Sequence, residues 1–137
     1  MAATRRQIIA AASVLPALPR LASAQGAWPQ RPVRVIVPYA ASGGTDLLTR
    51  ALGEAMRPVI GQPVVVENRA GAAGVIGTEV IARAEPDGYS LCAVVSTHVM
   101  NKHTMDRLPF DPIRDFTPVA VLTRNTMVLV AGSGQPF

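Results

Sequence analysis

Cysteine is almost absent: Cys92 is the only one in 137 residues, so no internal disulfide can form and the fold must stand on its apolar core. Cys92 lies in the apolar run Leu91-Cys92-Ala93-Val94-Val95, where a small buried thiol is expected rather than a reactive one. Long hydrophobic runs are missing as well. The run from Ile8 to Leu18 is short and alanine-rich, and nothing later approaches the roughly 20 apolar residues that spanning a bilayer requires. Aromatic residues make up only 4% of the chain. No basic stripe interleaves with them, so nucleic acid is not expected as a partner. No G-K-[ST] follows a glycine loop, which excludes a phosphate-cradling P-loop. His98 and His103 sit five apart in a predicted loop with no cysteine ligand nearby, so they read as solvent-exposed histidines, and neither metal nor cofactor is expected.

The amino-terminal residues 1–24 read as a cleavable export signal. Arg5 and Arg6 precede the Ile8–Leu18 run, and Ala22-Ser23-Ala24 is the A-x-A pattern that a signal peptidase accepts, with cleavage near Ala24 leaving Gln25 first. Thr4-Arg5-Arg6-Gln7-Ile8-Ile9 suits a twin-arginine signal and an ordinary basic leader equally, so both export routes stay open. Three of the 13 basic residues lie in this segment, leaving ten against nine acids. The high isoelectric point therefore belongs mostly to the leader, and a periplasmic, soluble mature chain is expected.

Beyond the leader, short apolar runs alternate with helical patterns. Val33–Val37 is β-branched and stops at Pro38, as a strand covered on both faces does. Thr45–Arg57 reads as a helix with Leu48, Leu52 and Met56 inward, widened by Leu47, Ala51 and Ala55, and ended by Gly61 and Pro63. Val64-Val65-Val66 is a second strand. The glycine-rich turn from Arg69 to Gly74 leads into a second helix reaching about Ala84, with Ile76 and Val80 inward. After the Pro86-Asp87-Gly88 turn, Tyr89–Val95 reads as a third strand. This β-α-β-α-β order predicts an α/β domain with a parallel sheet and helices on both faces. Asn101–Pro118, with three prolines, reads as a long loop holding at most one helical turn, and Val119–Leu122 and Met127–Ala131 as further strands.

The stretch Pro38-Tyr39-Ala40-Ala41-Ser42-Gly43-Gly44-Thr45-Asp46 joins the first strand to the first helix. In an open parallel sheet, ligands sit outside the carboxyl ends of the strands, where this loop lies. Gly43 and Gly44 permit close backbone approach, Ser42 brings a hydroxyl, and the free amides of the first helical turn favour an anion, for which a carboxylate is the natural guest. Ser96-Thr97-His98 follows the third strand and reaches the same edge, with two hydroxyls and an imidazole. The candidate ligand-binding set is therefore Tyr39, Ala41, Ser42, Gly43, Gly44, Thr45 and Asp46 with Ser96, Thr97 and His98. Asp46 suits a cap better than a contact, because its carboxylate would repel an anionic guest. A tight capped turn with nothing bound fits the same residues, and so does a solvated loop at 96–98.

Enzymatic readings fit less well. Ala40-Ala41-Ser42-Gly43-Gly44 approaches the nucleophile elbow of an α/β hydrolase but lacks its first glycine and follows the first strand. His98 precedes Asp106, Asp111 and Asp115, which reverses the order of acid and histidine in that fold. Gly71-Ala72-Ala73-Gly74-Val75-Ile76-Gly77 departs from the dinucleotide fingerprint at Ala73, which weakens a nucleotide-binding enzyme domain as the other alternative.

Several spaced motifs together resemble one family. Trp28-Pro29-Gln30-Arg31-Pro32-Val33 running to Pro38-Tyr39, Gly43-Gly44-Thr45-Asp46, Gly61-Gln62-Pro63-Val64-Val65-Val66-Glu67-Asn68-Arg69, Gly71-Ala72-Ala73-Gly74, Pro86-Asp87-Gly88-Tyr89 and Leu108-Pro109-Phe110-Asp111-Pro112, with Asp115-Phe116 and Pro118-Val119, are similar to the receptors of tripartite tricarboxylate transporters, the Bug family. The resemblance runs from residue 28 to 131. It implies a periplasmic-binding-protein-like (type II) fold of two α/β domains that closes on a small organic acid and delivers it to membrane permease subunits, as a monomer and without catalysis. It further implies that the loop at Tyr39–Asp46 receives a ligand carboxylate, commonly through water, and that Ser96–Asn101 lines the same cleft. The family is more than twice this long, so residues 25–137 are expected to form an incomplete first domain, with the second absent and Met127–Ala131 as a first crossing strand. Lys102 replaces the proline that usually follows the asparagine matching Asn101, a change with room to alter loop shape or ligand charge preference.

Overall fold

The computed structural model describes residues 28–126 together with 128, 130–132 and 134. The expected leader lies outside the described residues, as do Met127 and Leu129 of the last expected strand. Three parallel strands form one sheet: β1 (Val33–Val37), β2 (Val64–Asn68) and β3 (Ser90–Cys92), in the order β2-β1-β3. The α/β class with a parallel sheet is thus the observed one. Helix α1 (Gly44–Ile60) connects β1 to β2, α2 (Val75–Ala82) connects β2 to β3, and α3 (Thr97–Thr104) follows β3.

The strand order fixes the layers. The chain steps one way from β1 to β2 and then returns past β1 to β3, so two right-handed crossovers must place α1 and α2 on opposite faces. Contacts on each face agree. The α1 residue Gly53 lies over Val64, where a Cβ would come within 3.0 Å of the valine Cβ. On the other face α2 runs so close to the strand end that a Cβ on Gly77 would meet Arg69 O at 2.7 Å and Pro38 Cβ at 2.8 Å. β1 is consequently covered on both sides, and Val33, Ile36 and Val37 form the core with 2% exposure or less. Cys92, level with Ile36 in the register, shares the α2 face, and burial pushes its thiol pKa up to about 11. A thiol so raised is protonated and unreactive near neutral pH.

Several boundaries and faces differ from the sequence expectation. In α1, Leu48, Leu52 and Met56 do face inward, but Leu47, Ala51 and Ala55 are exposed and the row Thr45, Thr49, Gly53 widens the buried stripe instead. The reason is distance: α1 rests on β2 through Gly53, so small residues occupy its closest line and the row Leu47, Ala51, Ala55 points outward. The helix also continues past Arg57 through Pro58 to Ile60, ending where Gly61 adopts φ 70° and donates its amide to Arg57 O, a left-handed cap. In α2, Val75 and Thr78 are buried and Ile76 is turned out. β3 is shorter than Tyr89–Val95, although Tyr89 O and the Ala93 amide still bond β1 on either side of it. Val119–Leu122 forms no strand, and neither do the described residues of Met127–Ala131; Val119, Val121, Val128 and Val130 are exposed, with no strand beside them among the described residues. Among the described residues no helix is long and apolar enough to cross a membrane.

Candidate functional site

All three parallel strands end at one edge, and the loops that leave them converge there. The first, Pro38 to Gly43, turns through Ser42, whose φ of 64° is left-handed. Gly43 and Gly44 do not supply that conformation, since Gly43 is extended at φ −75° and Gly44 opens the helix. Gly44 matters by what surrounds it: a Cβ there would meet nothing within 4 Å. Helix α1 begins at this point with no side-chain cap, so the amides of its first turn retain no side-chain acceptor.

Asp46 does not cap the helix in the usual way. Its carboxylate, 2% exposed, accepts the Ser42 amide at 2.8 Å, Arg50 Nε at 3.0 Å and Asn68 Nδ2 at 3.0 Å. The Ser42 amide first, then Arg50 and Asn68, hold its pKa below the ordinary carboxylate value against the opposing effect of burial. Asn68, the last residue of β2, also accepts Arg50 Nη2 at 2.8 Å and reaches Tyr39 O at 3.4 Å. Sequence reasoning gave neither Arg50 nor Asn68 a role. The spacing of Asp46 and Arg50 at i and i+4 was visible, whereas Asn68 enters only because the register places the end of β2 beside the loop.

Tyr39 joins the first loop to the third. Its hydroxyl lies 2.9 Å from Thr97 Oγ1 and accepts the Val95 amide at 3.2 Å. The middle loop closes the group: Gly71, Ala72, Ala73 and Gly74 have φ of 142°, 44°, 50° and 93°, left-handed values that cost an alanine roughly 1–2 kcal/mol each. Packing fixes them. Gly74 lies against the Tyr39 ring, where a Cβ would sit 3.3 Å from Cε1, and buried Asn101 donates Nδ2 to Ala73 O at 3.1 Å.

Ser96 and Thr97 stand at the start of α3, a full helix where a loop was expected. Ser96 is exposed and Thr97 is engaged with Tyr39. His98 is not solvent-exposed as expected. Its Nε2 bonds Pro112 O at 2.9 Å, its ring packs in a three-ring cluster with Phe110 and Phe116 at centroid distances of 6.0 and 5.0 Å, and Nδ1 is sealed inside. Ser42 and His98 therefore form no nucleophile–base pair. His103 is exposed, and no cluster of three or more potential metal ligands occurs among the described residues.

The sequence and the fold that carry this site have known counterparts. A profile of the tripartite tricarboxylate transporter family receptor matches residues 48–137. The chain belongs to this receptor family. It is 39% identical to Protein BugT of Bordetella pertussis over 105 residues, 75% of this chain and 32% of that protein. MatC from Rhodopseudomonas palustris, solved with bound malate, is 38% identical with a TM-score of 0.65, covering 69% of this chain and 33% of MatC. A structure described as a periplasmic transporter is 49% identical with a TM-score of 0.61, over 64% of this chain and 30% of that one. The chain spans about a third of the length of these relatives.

Proposed function

We propose that this receptor chain captures a small organic acid in the periplasm and presents it to membrane permease subunits, without breaking or forming covalent bonds. Residues 1–24 act as the export leader, and residues 25–137 form the first α/β domain, one wall of the ligand cleft. The carboxylate rests on the first turn of α1, against the backbone of Ala41 to Thr45 and the hydroxyls of Ser42 and Thr45. Ser96 and Thr97 line the opposite side of the mouth. Tyr39, Asp46 and His98 act from behind, by fixing the loops that carry those groups. The observation that supports this most is the uncapped helix start at the sheet's carboxyl edge, fastened through Tyr39 to the loop after β3. Amide donors in such a place favour a negative oxygen. Membership in the receptor family and the malate held by MatC make a carboxylate the leading guest.

The test is thermal melting of the protein expressed at full length, with and without mono-, di- and tricarboxylates. At an acid concentration 100 times Kd, about 2.7 kcal/mol of added stability is expected. Replacing Gly44 by a bulky residue removes the shift. No shift with any acid, together with ester turnover that vanishes in Ser42→Ala, overturns the proposal in favour of a hydrolase.

A further inference from the structure

A buried carboxylate in the first turn of an anion-binding helix is electrostatically misplaced for its guest unless something offsets it. Asp46 is 2% exposed and belongs to the turn that the proposed ligand touches. We infer that Arg50 and Asn68 are positioning residues for anion capture, which hold Asp46 still and cancel its charge so that the first turn of α1 keeps its positive character. This rests on the carboxylate reading above.

Three observations carry it. The network is closed: Arg50 and Asn68 both donate to Asp46 Oδ1, at 3.0 Å each, and Arg50 Nη2 donates to Asn68 Oδ1 at 2.8 Å. The remaining carboxylate oxygen, Oδ2, takes the Ser42 amide at 2.8 Å, which holds Ser42 in its left-handed conformation. That amide is thus committed to the protein, and a ligand is left the hydroxyl and the later amides. Finally, the network spans both ends of the turn, because Asn68 also reaches Tyr39 O. Arg50 therefore need not touch the ligand to govern its binding. An unpaired Asp46 beside the site would repel any anion, while the Arg50 guanidinium leaves the pair neutral.

Calorimetric titration of the full-length protein with malate, succinate and benzoate tests this at about 20 mM and about 500 mM salt. Arg50→Gln is expected to weaken the acid that binds by roughly tenfold in low salt, with a smaller loss in high salt, where exposed charges are screened. The double variant Asp46→Asn/Arg50→Gln removes both charges and is expected to recover most of the affinity. Arg50→Lys, which keeps the charge, retains binding even where Arg50→Gln lowers the melting temperature. Unchanged affinity in Arg50→Gln, or a double variant no better than the single one, overturns the inference while leaving the receptor reading intact. If the unsubstituted protein binds none of the three acids, both fall together.

Discussion

Gly77 and Tyr39 show how single residues set the site. Gly77 permits α2 to approach the end of β1, and a methyl group there has no room beside Arg69 O and Pro38. Gly77→Ala is expected to destabilise by about 1–3 kcal/mol, the usual range for overpacking, as read from urea unfolding. Tyr39→Phe keeps the ring against Gly74 but strands the Val95 amide and Thr97 hydroxyl. Its expected cost is about 1 kcal/mol, with a weaker carboxylate affinity in the same preparation because the two loops lose their fastening. The candidate status of Tyr39 and Thr97 was legible, since both follow strands whose carboxyl ends must share an edge. The orientation of His98 was not: Phe110, Pro112 and Phe116 decide it, and no local pattern announces a packing partner that far along the chain.

At the level of elements, α1 separates what periodicity shows from what packing decides. Its existence and start were readable from Leu48, Leu52, Met56 and the glycines before Thr45, whereas its last turn, running through Pro58 to Ile60, was not. Which flank joined the stripe was not, because that depended on β2 passing under Gly53. Leu47→Glu is accordingly expected to change stability by no more than about 0.5 kcal/mol, whereas Gly53→Leu costs about 1–3 kcal/mol; parallel denaturation curves compare them. Helix α3 escaped notice because its sequence, rich in threonine, histidine and asparagine, has weak intrinsic helix preference. Tertiary hooks hold it instead: Asn101 to Ala73 O and His98 to Pro112 O. In its last turn Lys102 donates to Asp111, which also accepts the Ile113 and Arg114 amides, so that the Asp111 pKa falls from 3.8 to about 2. Asp46 is lowered too. A carboxylate held below its unfolded value adds stability that is complete above that value and disappears as pH falls through the folded one. Melting temperature should therefore decline between about pH 4 and pH 2, with a shallower decline in Asp111→Asn.

Across the whole molecule, the three-strand parallel sheet concentrates protection in one place. β1 is covered by a helix on each face and bonded on both edges, while residues 119–126 join no ladder. Hydrogen exchange followed by mass spectrometry should find β1 amides the slowest and those of 119–126 among the fastest; comparable rates in the two segments would contradict this architecture. The class of fold was legible because strand and helix patterns alternate. The fate of Val119–Leu122 was not, since an apolar run becomes a strand only beside another strand.

The bond between Tyr39 and Thr97 closes a gap of 58 residues, and that separation sets an order of events. A chain emerging amino terminus first, from a ribosome or through a translocation pore, has no finished mouth until Thr97 is free to dock. Until that moment the loops leaving the first and third strands have nothing to fasten them, so the carboxyl edge of the sheet takes its final shape only after β3 has paired.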